Sequence, residues 1–222
     1  MIPCTVYRLG LIEYSQAYRL QRSLLEQRAK GERGDTLLLL EHPPTITVGA
    51  SGKLENILVP RSRLTGAGIS TFFADRGGDV TYHGPGQLVG YPIIDLRERE
   101  RDVHRYLGGL EEVLIRTLAD FSIRGSRDRA HAGVWVGNKE IAAIGLKVKR
   151  WVTMHGFALN VNVDLLPFSF INPCGFSHRK ATSISALASQ YVPMTTVSER
   201  LLAHFSKVFN VQLVVSDGYK LE

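Results

Sequence analysis

Cysteine is scarce in this chain. The 222 residues contain two, Cys4 and Cys174, far apart and with no Cys-x-x-Cys pair, so neither a zinc knuckle nor a thioredoxin-type motif is available. Both thiols are expected to be free in a reducing cytoplasm. No apolar run approaches the roughly 20 residues that span a bilayer. The opening MIPCTVYRLG has no charged patch followed by a long apolar stretch, so no secretory leader is expected. Several chemical signatures are missing as well. There is no HExxH, no metal-ligand spacing among the seven histidines, no GxSxG elbow, no GxxxxGK[ST] loop and no GxGxxG after a strand. A metal, a nucleoside triphosphate and a dinucleotide therefore lack support, and no cofactor is expected. No repeat, low-complexity tract or linker interrupts the chain, which is expected to fold as one domain over 1–222.

What the chain does have is the composition of a soluble globule, 44% hydrophobic and 22% charged, with a formal net charge of +6. That charge favours an acidic partner. The basic residues are scattered, as in Arg97, Arg99, Arg101 and Arg105, and no RNP signature, zinc finger or basic tail is present. An acidic carrier protein is thus the better partner and nucleic acid the weaker one.

Hydrophobic spacing sets the expected elements. Short strands are predicted at 4–9, 36–41 (TLLLLE) and 45–49 (TITVG), with HPP at 42–44 breaking the last two apart. Tyr14, Ala17, Tyr18, Leu24 and Leu25 share one face of a helix. Residues 50–68 read as a loop with a turn or two, ISTFFA at 69–74 leads into a glycine-rich block, and LVGYPII at 88–94 leaves it. A long helix over 102–121 opens at Asp102 as N-cap. GVWVG at 133–137 and EIAAIGLKV at 140–148 pair around a Gly137-Asn138 turn, followed by a strand at 157–163. A helix is expected in 183–190. Thr196 and Glu199 form a capping-box pattern for a helix running to Phe209, and 211–215 closes as a strand. Hairpin-spaced strands outnumber helices, which predicts an α+β fold with a mixed, largely antiparallel sheet and helices packed on it.

The most informative segment is RGGDVTYHGPGQ, Arg76 to Gln87. Four glycines and a proline stand among Arg76, Asp79, Tyr82 and His83. Glycines allow tight turns and close backbone approach to a ligand, and the polar side chains can surround that approach; an ordinary glycine-rich hairpin is the plainer alternative. Cys174 sits in INPCGF, between Pro173 and Gly175, a suitable mounting for a nucleophile, although a free cysteine is more often a small buried hydrophobe. A thiol with pKa near 8.5 needs a neighbouring cation to become thiolate. Lys139, Lys147, His83 and His155 are the candidates.

Four segments together resemble the lipoyl(octanoyl) transferases: EHPPTITVG at 41–49, RGGDVTYHGPGQLVGYPI at 76–93, GVWV…IAAIGLKV…HGFALNVN at 133–162, and PCG at 173–175. The resemblance implies the biotin/lipoate-ligase type of α+β fold. It implies transfer of an octanoyl group from octanoyl-acyl carrier protein to a lysine of lipoyl domains, those of 2-oxoacid dehydrogenase complexes and the glycine cleavage H protein, with neither nucleic acid nor membrane as partner. It implies Cys174 as the residue that takes the acyl group as a thioester. The walls of the acyl site are implied to be Arg76, Gly77, Gly78, Asp79, Val80, Thr81, Tyr82 and His83, then Ala143, Ile144 and Gly145, then Gly156, Phe157 and Ala158. Ile144 and Phe157 suit an apolar tail, and plain strand packing accounts for them equally.

One departure stands out. The family pattern has a lysine directly before the IAAIG-type segment, where this chain has Glu140, with Lys139 one residue earlier. If the Gly137-Asn138 turn has two residues, Glu140 shares a face with Trp135 and Lys139 shares the other with Val136. A carboxylate beside the thiol would raise its pKa, the wrong direction. A bulge turning Lys139 inward, a reach by Lys147, or assistance from His83 or His155 would each restore activation. Two rival functions follow: an ATP-dependent lipoate–protein ligase on the same fold, and a degenerate relative that only binds an acyl group or a carrier domain.

Overall fold

The computed structural model describes residues 1–172, 180–216 and 219. In chain order the elements are β1 (Ile2–Leu11), α1 (Tyr14–Lys30), β2 (Asp35–Glu41), β3 (Thr45–Val48), α2 (Arg61–Gly66), β4 (Ser70–Phe73), β5 (Val80–His83), β6 (Gln87–Ile93), α3 (Val103–Ala119), β7 (Ser126–Arg127), β8 (Gly133–Val136), β9 (Lys139–Lys149), β10 (Val152–Asn160), β11 (Lys180–Ala181), α4 (Ile184–Ala188), α5 (Met194–Phe209) and β12 (Val211–Ser216).

The main sheet runs β12-β1-β2-β6-β10-β9-β8-β7, with β11 added beside β9. Its pairs from β2 to β7 are antiparallel, whereas β12-β1, β1-β2 and β9-β11 are parallel. This is the expected α+β sheet with helices on both faces. The apolar stripes of α3 and α5 cover one face, through Leu110, Leu114, Leu201 and Phe205, against Leu37, Phe157 and Leu159. The stripe of α1, through Ala17, Leu24 and Leu25, covers the other, against Leu38, Val89 and Ala158. Asp102 caps α3 as expected, accepting from the His104 and Arg105 main-chain N–H groups.

Four local expectations are corrected. First, the strands do not form one sheet: β4-β3-β5 make a separate three-stranded sheet with its own core around Ile46, Val80 and Tyr82. Thus Val80–His83 of the glycine-rich block is a strand. Second, residues 50–68 contain α2, started by the fixed φ of Pro60 and anchored by buried Leu64. Third, β10 begins at Val152 rather than 157. Arg150 and Trp151 form its hairpin turn with φ of 52° and 65°. That geometry is ordinarily marked by Asn or Gly, so the turn carries no sequence signal. Fourth, Thr196 and Glu199 do not cap α5. The helix starts three residues earlier, after Pro193, with no side-chain cap.

The β8-β9 hairpin has the expected register, with Trp135 opposite Glu140 and Val136 opposite Lys139 around Gly137 at φ 60°. A bulge after it shifts the ladder by one residue, so Val134 faces Ala142. The close contact of β10 with β6 is made possible by Gly156: a Cβ there would lie 2.2 Å from the Gly90 carbonyl oxygen and 2.7 Å from Pro92 Cδ. Gly156→Ala is expected to lower stability by about 1–3 kcal/mol, read as a lower midpoint in denaturant unfolding; an unchanged midpoint would contradict this packing.

Candidate active site

A cavity of about 1100 Å³ lies between the α1 face of the main sheet and the small sheet, at the upper end of the size range of ligand clefts. The start of α3, the 130–132 segment and Lys180 also border it.

The turn Arg76–Asp79 closes one wall. Arg76 is buried, and its Nη2 donates to Thr47 Oγ1 at 2.8 Å and to the Thr47 carbonyl at 3.0 Å, while Nη1 donates to the Gly77 carbonyl at 3.0 Å. The Gly77 N–H donates to the Leu146 carbonyl of β9 at 2.8 Å. Asp79 accepts from the Lys53 main-chain N–H at 3.1 Å and from Asn56 Nδ2. Gly78 has φ 89°, a left-handed conformation suited to glycine. The block is thus stapled to both sheets.

The opposite wall is β9 and β10. Register pairs Ala143 with Ala158, Ile144 with Phe157 and Gly145 with Gly156. Paired residues share a face, and alternate residues change face. Ile144 and Phe157 belong to the α3/α5 core, at 9% and 2% exposure. Ala143, Gly145, Gly156 and Ala158 therefore face the cavity. The small residues make room, and the large ones anchor the wall from behind.

Tyr14, Tyr91, His83 and His155 border a polar end. His42 Nδ1 donates to the Ile12 carbonyl at 2.7 Å, so its Nε2 accepts from Tyr91 OH at 2.8 Å. Burial holds His42 down to about 4 and pushes Tyr14 up to about 12. Asp75 accepts from His155 Nε2 at 2.9 Å and Lys147 Nζ at 2.5 Å, and Tyr18 also bonds it. Burial raises the Asp75 pKa, but these hydrogen bonds outweigh it and bring the carboxyl down to about 2. For His155, burial outweighs the bond to Asp75 and lowers its pKa. His155 also has φ 58°, with its N–H donated to Gln21 Oε1 at 2.7 Å.

Of the residues singled out in the sequence, Arg76 to Thr81, His83, Ala143 to Gly145 and Gly156 to Ala158 border this one cavity. Tyr82 does not: it packs into the core of the small sheet, because alternation along β5 turns it away from His83. Cys174 lies outside the described residues. Lys147 is held by Asp75. Lys139 is exposed and shares its face with Val136, while Glu140 borders the cavity with Trp135. Tyr14, Tyr91, Trp135 and Lys180 are lining residues that sequence spacing did not mark. Both tyrosines sit in apolar stripes that read as packing.

The antiparallel sheet with its cavity against the glycine-rich turn has the fold of lipoate-protein and biotin-protein ligases. The chain belongs to the lipoyl protein ligase A/B catalytic domain family, whose model matches residues 13–206. It is 48% identical over 211 residues to an octanoyltransferase of Solibacter usitatus, covering 95% of each chain. It is 49% identical to one of Roseiflexus sp., covering 96% of this chain and 91% of that one. Among solved structures, lipoate-protein ligase A bound with ATP matches with a TM-score of 0.76 at 14% identity, over 100% of this chain and 91% of that one. A lipoate protein ligase of T. acidophilum with bound lipoic acid matches with a TM-score of 0.75 at 14% identity, over 99% and 91%. These two share the fold.

The low pKa of Asp75 has a pH signature. A carboxyl lowered from its ordinary 3.8 to about 2 adds stability that is complete above pH 4 and lost as pH falls through 2. Asp75→Asn should be less stable than the parent at neutral pH, with the gap closing between pH 4 and 2 in unfolding experiments. A gap that stays constant over that range would contradict the ion pairing.

Proposed function

We propose that the protein is an octanoyltransferase that moves an octanoyl group from octanoyl-acyl carrier protein to a lysine of a lipoyl domain, through a thioester on Cys174. The observation that carries the covalent route is the course of the chain on either side of that residue. Ile171 and Asn172 before it, and Lys180 and Ala181 after it, all border the cavity. The acyl tail lies against Ala143, Gly145, Gly156 and Ala158.

The reaction has two acyl transfers. The Cys174 thiolate attacks the donor thioester and the carrier thiol leaves, a nearly balanced exchange. The acceptor ε-amine then attacks the enzyme thioester, the C–N bond forms, the C–S bond breaks, and the amide product makes this step downhill. A covalent nucleophile divides one difficult transfer into two easier ones. The net charge of +6 favours acidic carrier and acceptor domains.

Purified protein given octanoyl carrier protein and a lipoyl domain should octanoylate the domain without ATP, and Cys174→Ser should reduce turnover by at least about a thousandfold while leaving the thermal melt unchanged. Unchanged turnover in that variant would rule out the covalent route. Product formed from lipoate and ATP alone would instead indicate a ligase.

A further inference from the structure

Three histidines, 42, 83 and 155, cluster at the polar end of the cavity, and their hydrogen bonds distinguish them. His42 has both ring nitrogens occupied. His155 has Nε2 held by Asp75, and its Nδ1 has no partner among the described residues. His83 also borders the cavity, is 5% exposed, and its Nε2 has no partner among the described residues; its other ring nitrogen is held by the neutral Gln87 amide, whereas that of His155 is tied to the Asp75 carboxylate.

The protonation of His83 follows from a chain of hydrogen bonds. Gln87 Nε2 donates to the Tyr82 carbonyl at 3.1 Å and to Asn160 Oδ1 at 2.9 Å. That orientation leaves Gln87 Oε1 as an acceptor facing His83 Nδ1 at 2.8 Å. Nδ1 therefore carries the proton, and Nε2 is a bare lone pair. Asn160 Nδ2 in turn donates to the Thr182 carbonyl at 3.0 Å, three residues beyond the end of the 173–179 stretch. The imidazole and the return of the cysteine-bearing stretch are thus held by one network. A buried acceptor without a partner is costly, and its retention beside a cavity points to a ligand hydrogen that completes it.

We propose that His83 is a catalytic residue of the transfer step: its Nε2 takes a proton from the acceptor amine as that nitrogen attacks the thioester, and gives it to the departing sulfur. The proposal rests on Cys174 as the acyl carrier. The nitrogen of the tetrahedral adduct loses one proton to Nε2, the C–S bond breaks, and the sulfur takes the proton from the imidazolium. The products are an amide, a neutral thiol and a neutral imidazole. The surroundings suit a brief carrier. Tyr14 stacks on the ring from α1 and His42 meets its edge. Burial first, then His42, Arg76 and His155, lower the His83 pKa well below its ordinary value, against the Gln87 bond that raises it. An imidazolium formed there gives up its proton more readily than an ordinary one, in the direction of a thiolate whose conjugate thiol has pKa about 8.5.

The test separates the two half-reactions. Wild-type and His83→Gln proteins are loaded with octanoyl carrier protein, followed by intact mass and peptide mapping, and the acyl-enzymes are then mixed rapidly with a lipoyl domain. The expected result is an acyl-enzyme on Cys174 whose transfer to lysine is slowed about 10²–10⁴-fold in His83→Gln. Transfer at the wild-type rate would overturn the role of His83 while leaving the function standing. A wild-type protein that never gains an octanoyl group on Cys174 would overturn both. Should His83→Gln fail to fold by its thermal melt, Gln87→Glu decides the matter. A carboxylate on Nδ1–H raises the imidazole pKa, so the acidic limb of the transfer rate must move to higher pH; an unmoved limb overturns the proposal.

Discussion

The hydrogen bonds of Arg76 to Thr47 hold the site together. A guanidinium buried without partners would be strongly destabilising. Here it spends its donors on the backbone and hydroxyl of β3 and on its own turn. That fixes the glycine-rich turn to the small sheet, while Gly77 and Asp75 fix it to β9 of the main sheet. The cavity is the space left where two sheets with separate cores are joined by one turn. Close approach makes the joint possible. A Cβ on Gly49 would fall 2.3 Å from the Gly78 carbonyl oxygen, and one on Gly145 would fall 2.9 Å from the Gly77 carbonyl oxygen.

The second determinant is the division of labour across β9 and β10. A flat strand surface with large residues on both faces would fill the space an acyl chain needs. Alternation places Ile144 and Phe157 in the core and leaves alanines and glycines toward the cavity. The bulge beyond Trp135 sets which residues follow that rule at the hairpin end of β9. It keeps Glu140 on the cavity face with Trp135, and Lys139 on the other.

Much of this was legible from spacing. The continuous apolar run of β2, the 3.6-residue period and Asp102 cap of α3, and the Gly137-Asn138 hairpin each follow from local chemistry and agree with the structure. The misses have physical reasons. The Arg150-Trp151 turn uses left-handed backbone at residues that give no sign of it. The helix after Pro193 is started by a fixed φ and buried Val197 rather than by a side-chain cap. The division into two sheets depends on non-local pairing of β3 with β4 and β5, which periodicity cannot express. In the site, the glycine-rich block was conspicuous because no core needs such a composition. Tyr14 and Tyr91 were not, because a tyrosine in an apolar stripe reads as packing until its hydroxyl is seen paired within a buried network. The lysine expected before the IAAIG-type segment has no counterpart on the cavity face of β9 other than Lys147, which is paired with Asp75.

The central claim is that the space between the two sheets receives an acyl chain attached to Cys174. A crystal structure of the protein after incubation with octanoyl carrier protein tests it most directly. The account predicts continuous density from the Cys174 sulfur into the cavity, with the chain lying over Ala143, Gly145 and Ala158. A chain bound elsewhere on the protein, or an adduct on another residue, would contradict it.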